Sequence, residues 1–320
     1  MLTASYEARP FGVKSAMPLY KAKSACPGLV VVPPDMQKYK AVSREIFEVF
    51  RGEARPVEGL SMDEAFVALG EMSLADATAA AAQIRAEVLA ATRLTVSGGV
   101  ATGKMIAKIA SDSCKPNGLL AVAPGEEAVF LAPMPVARLW GIGPKTQARL
   151  QLFGIGTIGE IAALEDAALR ELFGSWWREV RDLARGVDHR RVEPERETKS
   201  ISTEETFEYD VRDERRLLDV LREQAVELAA KLEREQAVAQ TVGVKIKRAD
   251  RTVLGRQTHL AEPTREARRI FRAAVYCLRR AELRGAPVRL LGTRVASLVE
   301  GDARQTSLFS LVSGPPSSSQ

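Results

Sequence analysis

Between Ser200 and Leu298 the hydrophobic pattern switches between a period of two and a period of 3.6 in an order that few folds accommodate. Strand patterns at 200–207, 239–248, 252–260 and 288–298 surround helical patterns at 213–235 and 264–284. That βαββαβ order predicts a small α+β domain with both helices on one face of a sheet. In Val242-Gly243-Val244-Lys245-Ile246-Lys247 the strand period sends Val242, Val244 and Ile246 inward and Lys245 and Lys247 to the opposite face. The open face is therefore a candidate phosphate-binding surface. Charge agrees, because residues 241–294 hold 14 Lys or Arg against four acids while the whole chain carries only +5.

This domain fills about a third of the 320 residues, so further modules are expected upstream. Helical spacing at 37–50, from Ser73 to Thr92 and from Lys104 to Ser113 alternates with the strand-like LSMDEAFVAL and LTVSGGVA. Residues 35–124 thus read as one α/β sheet domain. Before it, 1–34 is Pro-rich and reads as small helices plus a strand, Val30-Val31-Val32, stopped by prolines. After it, 125–187 is a set of short helices around two Gly-Ile-Gly turns, and 188–198 reads as a charged linker. The last stretch, 301–320, loses all periodicity and reads as a flexible Ser/Pro-rich tail.

No run of eighteen apolar residues exists, which argues against a membrane span. Cys26, Cys114 and Cys277 lie far apart and only two histidines are present, so no zinc-ligand spacing occurs and free thiols in a reducing cytoplasm are expected.

Asp63 and Glu64 are adjacent carboxylates at a strand edge after Gly59-Leu60-Ser61, where a bend would let both reach one site and offer oxygen ligands to a hard cation such as Mg2+. Gly141-Ile142-Gly143-Pro144-Lys145 followed by a helix resembles a helix-hairpin-helix, in which Gly141 and Gly143 let backbone amides approach a DNA phosphate and Lys145 adds charge. Tyr6 and Arg9, three apart, would share a helix face and could grip a phosphate. Lys115 sits in a Lys-Pro-Asn-Gly helix stop, and Gln305-Thr306-Ser307-Leu308-Phe309 places an apolar pair in the tail, where a short docking peptide is the better account.

Taken in order, YEARPFGVKSAMP, SMDEAF, SGGVATGKMIAKIASDSCKPNG, GIGPKTQARLQLFGIGTIGEI and the βαββαβ domain closely resemble the Y-family DNA polymerases, nearest the bacterial DNA polymerase IV type that copies past template damage. The resemblance implies a right-hand polymerase of α/β and α+β domains: partial fingers at 1–34, palm at 35–124, a helix-hairpin-helix thumb at 125–187 and a little finger at 199–300. It implies that Asp63 and Glu64 bind two Mg2+ ions, that Tyr6, Arg9 and Lys115 contact the dNTP triphosphate, and that Gly141 to Lys145, Lys245 and Lys247 hold primer-template DNA. Gln305, Leu308 and Phe309 would anchor to the bacterial sliding clamp, and the protein would act as a cytoplasmic monomer.

One departure stands out. The family's first palm strand, with an Asp-x-Asp-x-Phe-Phe-like motif carrying another metal-binding aspartate, has no counterpart here, and Asp35 and Asp112 lie in other motifs. The expectation is a chain that begins inside the fingers, with an incomplete palm sheet, poor stability and little or no catalysis. The competing expectation is a short form that binds DNA and the clamp without synthesis. A helix-hairpin-helix glycosylase would account for 141–161 but leaves SMDEAF and KPNG unexplained.

Overall fold

The computed structural model describes residues 1–300 except Glu53 and Arg196, and its contacts divide the chain into two units, Met1–Glu195 and Arg196–Gln320. Gln305, Leu308 and Phe309 therefore lie outside the described residues.

The first unit opens with α1 (Leu19–Ala25) and α2 (Met36–Arg51). Asp35 starts α2 by accepting the Lys38 N–H at 3.0 Å, an N-cap that satisfies one of the four orphan donors. Two strands of three residues, β1 (Val57–Gly59) and β2 (Ala65–Val67), pair antiparallel. Next comes α3 (Leu74–Thr92), capped by Ser73 onto the Asp76 N–H as its sequence suggests. β3 (Gly98–Val100) and β4 (Leu119–Ala121) pair parallel across α4 (Lys104–Ser113). Gly99 is required here, since a Cβ would strike the Ala107 carbonyl of α4.

Five short helices follow: α5 (Glu127–Leu131), α6 (Pro144–Leu152), α7 (Ile158–Ala162), α8 (Asp166–Phe173) and α9 (Trp177–Ala184). They share a core with α4, in which Met105, Ile106 and Ile109 meet Leu131, Leu150, Ile161 and Val180. The helix that follows β3 is thus packed into the helical subdomain.

The second unit contains β5 (Ser200–Val211), α10 (Glu214–Arg234), β6 (Ala237–Arg248), β7 (Val253–Thr264), α11 (Ala267–Arg280) and β8 (Val288–Glu300). The sheet runs β5-β8-β6-β7, every pair antiparallel. Both helices bury their apolar stripe on it, Leu217, Leu221 and Leu228 from α10 and Ile270, Ala274 and Cys277 from α11, against Val242, Val244, Ile246 and Val295. The alternation expected at 242–247 holds, with Val242, Val244 and Ile246 buried and Lys245 exposed. Gln224 of α10 sets the helix on the sheet by donating to the Leu291 carbonyl at 2.9 Å and accepting from Thr293 Oγ1 at 2.7 Å.

Three expectations change. Val30 to Val32 form no strand and stand exposed, since Pro33 and Pro34 supply no donors and no ladder reaches them. The single sheet expected in 35–124 is two separate two-stranded pairs among the described residues, because each strand is only three residues long and no ladder joins them. Residues 188–193, read as linker, are docked on the first unit through side chains described below.

Candidate active site and nucleic-acid faces

Ser61 to Asp63 form bends and β2 begins at Ala65, so the two carboxylates sit where the chain turns into the strand. The turn is closed by Leu60 and Ser61 N–H groups donating to the Glu64 carbonyl and by Ser61 Oγ bonding Asp63 Oδ1. Two lysines from outside this segment reach Glu64. Lys108 Nζ on α4 lies 2.8 Å from its Oε1, and Lys115 Nζ, just past α4, lies 3.9 Å from the same atom. Asp112, one turn before Lys115, binds Lys115 at 2.7 Å and Lys108 at 3.7 Å.

This exchange of charge moves two titrations. Partial burial pushes the Asp112 carboxyl up, but the Lys115 hydrogen bond and the charges of Lys108, Lys115 and Arg138 together leave it below its ordinary value. The Asp112 hydrogen bond in turn holds the Lys115 ammonium above its ordinary value against burial, with the charges of Asp112, Glu64 and Tyr6 adding to it.

Tyr6 and Arg9 do not share an α-helix. Residues 6–8 form a turn and Arg9–Phe11 a single 3-10 turn, ended by Gly12 at φ +80° with its N–H donating to the Arg9 carbonyl. They meet instead by stacking, with the Arg9 guanidinium 4.2 Å from the Tyr6 ring centre and its Nε donating to the Ala4 carbonyl at 3.2 Å. Asp63, Glu64 and Lys115 are thus grouped at one site, and Tyr6 and Arg9 are paired with each other.

Lys108, Asp112 and Arg138 escaped the sequence reading, and α4 explains why. Lys108 and Asp112 are one helical turn apart on a face whose neighbour, the Glu64 turn, is 44 residues away in sequence. The i, i+4 spacing was visible, but its partner was not. Asp63 and Glu64 offer hard oxygen donors in a solvent-accessible turn, so they fit a hard divalent cation. Among the described residues no three His, Cys, Asp or Glu side chains converge as a metal-binding group.

A second set of charges underpins α4. Gly103, its N-cap, has no side chain to offer, and the Met105 N–H is satisfied by Asp188 Oδ2 at 2.9 Å from 83 residues away. Arg190 holds Asp188 through two bonds of 2.7 and 2.8 Å, and its guanidinium lies 4.8 Å from the Trp140 ring centre. Buried Glu58 of β1 binds Lys104 Nζ at 2.6 Å and accepts the Glu193 N–H at 2.9 Å. These bonds fix the N-terminal end of the helix that presents Lys108 and Asp112.

The Gly-Ile-Gly hairpin takes the form expected. Gly141 has φ +88°, and a Cβ there would run into the Trp176 ring, so two constraints demand glycine. Gly143 caps α6 with open space around it, Pro144 occupies the first helical position and Lys145 is exposed. A cleft beside the hairpin is lined by Lys108, Asp112, Arg138, Trp140, Gly141 and Gly143.

In the second unit, the sheet face opposite the helices carries Lys245, Lys247 and Arg294 around Gly243 and Gly292. Lys245 is engaged by Glu204 of β5 at 2.8 Å, across Gly292. Lys245 and Lys247 are therefore on the face assigned to them, one of them under the control of an acid.

Residues 1–112 match the impB/mucB/samB family, residues 198–308 its C-terminal domain, and residues 124–155 the IMS family HHH motif. The chain is 41% identical over 323 residues to DNA polymerase IV of Ralstonia nicotianae, covering 98% of this chain and 87% of that one. It is 37% identical over 313 residues to DNA polymerase IV of Desulfatibacillum aliphaticivorans, covering 96% and 78% respectively. Among solved structures it resembles a Y-family DNA polymerase chimera of Dbh and Dpo4, with TM-score 0.86 and 27% identity over 94% of this chain and 88% of that one. It also resembles an insertion ternary complex of Dbh DNA polymerase, with TM-score 0.63 and 26% identity over 93% and 87%. No helix among the described residues is long and apolar enough to cross a membrane.

Proposed function

The chain belongs to the Y-family DNA polymerases of the DNA polymerase IV kind, metal-dependent DNA-directed DNA polymerases of translesion synthesis, and on that premise we propose that the Glu64 cluster is where nucleotide is added to a primer. The observation that carries this reading is the convergence of Lys108 and Lys115 on Glu64 from a segment more than forty residues away.

Lys115, with Tyr6 and Arg9, binds the triphosphate of the incoming dNTP. Lys115 suits this task because its partners keep it charged, and a phosphate can take the place of Asp112 at its ammonium. Asp63 and Glu64 would hold Mg2+, two ions as the family resemblance implies, which would supply charge neutralisation at the reacting phosphate. Lys108 orients Glu64, and Asp112 holds Lys108 and Lys115 apart from full engagement with it. The α6 hairpin, with Gly141, Gly143 and exposed Lys145, holds the DNA backbone through amides and charge. Lys245 and Lys247 supply a salt-sensitive grip on primer-template DNA. Gln305, Leu308 and Phe309 tether the enzyme to the bacterial sliding clamp, raising its effective concentration at the primer end. A cytoplasmic monomer satisfies all of these roles.

Of the 320 residues taken alone we expect little synthesis, because the two carboxylates offered to the metal are few and Glu64 is already shared between two lysines. The second reading, binding of DNA and clamp without synthesis, is favoured by the second unit being a separate unit from the one that holds Glu64. Primer extension by the purified 320-residue chain separates them when compared with Asp63→Asn, Glu64→Gln: weak addition that this variant abolishes supports the first reading. Metal-dependent addition refutes the second reading, whereas DNA binding without addition supports it. Leu308→Ala with Phe309→Ala is expected to abolish clamp binding and leave DNA affinity unchanged.

A further inference from the structure

The two helices that cover the sheet of the second unit differ sharply in charge. α10 carries five basic and five acidic residues, and its Arg222 and Lys231 are neutralised by Asp219 and Glu227. α11 carries five arginines, Arg268, Arg269, Arg272, Arg279 and Arg280, and no acid. At 100° per residue, Arg268, Arg272, Tyr276 and Arg279 fall on one narrow stripe, opposite the buried Ile270, Ala274 and Cys277.

All four side chains are exposed, and among the described residues Arg268, Arg272 and Arg279 meet no carboxylate. The stripe extends about 16 Å along the helix at 1.5 Å per residue. Folding does not call for it. The stripe contributes nothing to the core, and like charges one turn apart repel, an arrangement that weakens a helix unless a polyanion relieves it.

We infer that the exposed face of α11 is a second nucleic-acid surface, which takes a single strand and lies on the opposite side of the domain from Lys245 and Lys247. The inference rests on the polymerase reading of this chain. A polyanion follows from the charge. A single strand follows from Tyr276, 53% exposed and flanked along the stripe by Arg272 and Arg279, with the Arg280 guanidinium 5.5 Å from its ring centre. An unstacked base finds a ring to lie on and a cation beside it, whereas a duplex keeps its bases stacked on each other. The use of arginine throughout, with no lysine in α11, suits a surface that both pairs with phosphate and stacks on bases.

The test is fluorescence anisotropy of labelled oligo(dT) with the 320-residue chain, alone and with saturating unlabelled primer-template duplex. Oligo(dT) is expected to bind in both conditions. The triple variant Arg268→Ala, Arg272→Ala, Arg279→Ala should weaken oligo(dT) binding at least tenfold, flatten its log-log salt dependence by about 2, and leave duplex affinity within twofold. Tyr276→Ala should weaken oligo(dT) about fivefold or more and leave heparin binding unchanged. Lys245→Ala with Lys247→Ala should do the reverse, weakening duplex alone. Wild-type oligo(dT) affinity in the triple variant overturns the inference, as does full displacement of oligo(dT) by duplex. Tighter binding of a poly-glutamate peptide than of oligo(dT), indifferent to Tyr276, would assign the face to an acidic protein instead. Loss of duplex binding in the wild type would sink the polymerase reading itself, an outcome distinct from all of these.

Discussion

In the first unit, Glu58 and Glu64 each hold a lysine more than forty residues away, and Asp188 caps a helix 83 residues before it. In the second unit Arg268, Arg272 and Arg279 of α11 meet no acid among the described residues, and of the stripe's neighbours Arg269 alone pairs with one, Glu262 at 3.4 Å. The scaffolds differ in the same sense. Strands of three residues cannot fix side chains by pairing alone, so the first unit positions its helix α4 with buried and half-buried charges. Strands of 12 and 13 residues over one core leave the second unit free to spend its surface charge on a partner. Charge in the first unit is structural as well as chemical; in the second it is available.

This contrast can be broken most forcefully at Glu58. Replacing it with Ala leaves half-buried Lys104 without its carboxylate and the Glu193 N–H without its acceptor, and a cost of about 3 kcal/mol to the first unit is expected. Trp140, Trp176 and Trp177 all lie in that unit, so urea unfolding followed by tryptophan fluorescence should show an early transition while the sheet signal of the second unit persists in far-UV dichroism. Coincident loss of both signals would mean that the units do not differ as described.

Gly141→Ala is next. The left-handed backbone and the Trp176 ring together should cost about 2–4 kcal/mol, read by the same fluorescence, with weakened duplex binding at the hairpin. A neutral result would show that the hairpin relaxes freely and would remove the reason for glycine.

Asp188→Ala should cost about 1–2 kcal/mol as a lost cap and a lost partner for Arg190. Burial pushes its carboxyl up, but Arg190 and the Met105 and Arg190 amides outweigh that and hold it below the ordinary 3.8. A lowered folded value means the contribution is complete above the ordinary value and is lost as pH falls through the folded one. Wild type should therefore lose stability on acidification below about pH 4 more steeply than Asp188→Ala, in parallel urea titrations, and equal slopes would remove Asp188 from the account.

The smallest effect is expected at Glu204. Glu204→Gln frees Lys245 from an exposed pair worth at most about 1 kcal/mol, so duplex affinity should rise only a few-fold, most visibly at low salt. A fall in affinity would mean that the pair holds Lys245 in place for phosphate and does not compete for it.

The contrast also explains what could be read from the sequence. The second unit was legible nearly to the residue, because Val242, Val244 and Ile246 alternate and α10 and α11 carry continuous apolar stripes. The caps at Asp35 and Ser73 were legible for the same local reason. Asp63 and Glu64 stood out as a pair, but Lys108 and Asp112 looked like an ordinary exposed helix face, since their partner arrives from 44 residues away. Residues 188–198 read as linker because a charged run shows no period, and only tertiary structure shows that the Asp188 carboxylate is buried and that the Glu193 N–H is bonded. Val30 to Val32 had the composition of a strand without a neighbour to pair with.

The central claim is that metal and nucleotide meet at the Glu64 cluster of the first unit and at no site in the second. Calorimetric titration of dNTP in the presence of Mg2+ tests it most directly, comparing wild type, Asp63→Asn with Glu64→Gln, Lys115→Ala, and Lys245→Ala with Lys247→Ala. The account predicts Mg2+-dependent binding that the first two variants weaken at least tenfold and the last leaves unchanged. Binding that survives the loss of Asp63, Glu64 and Lys115 would contradict it.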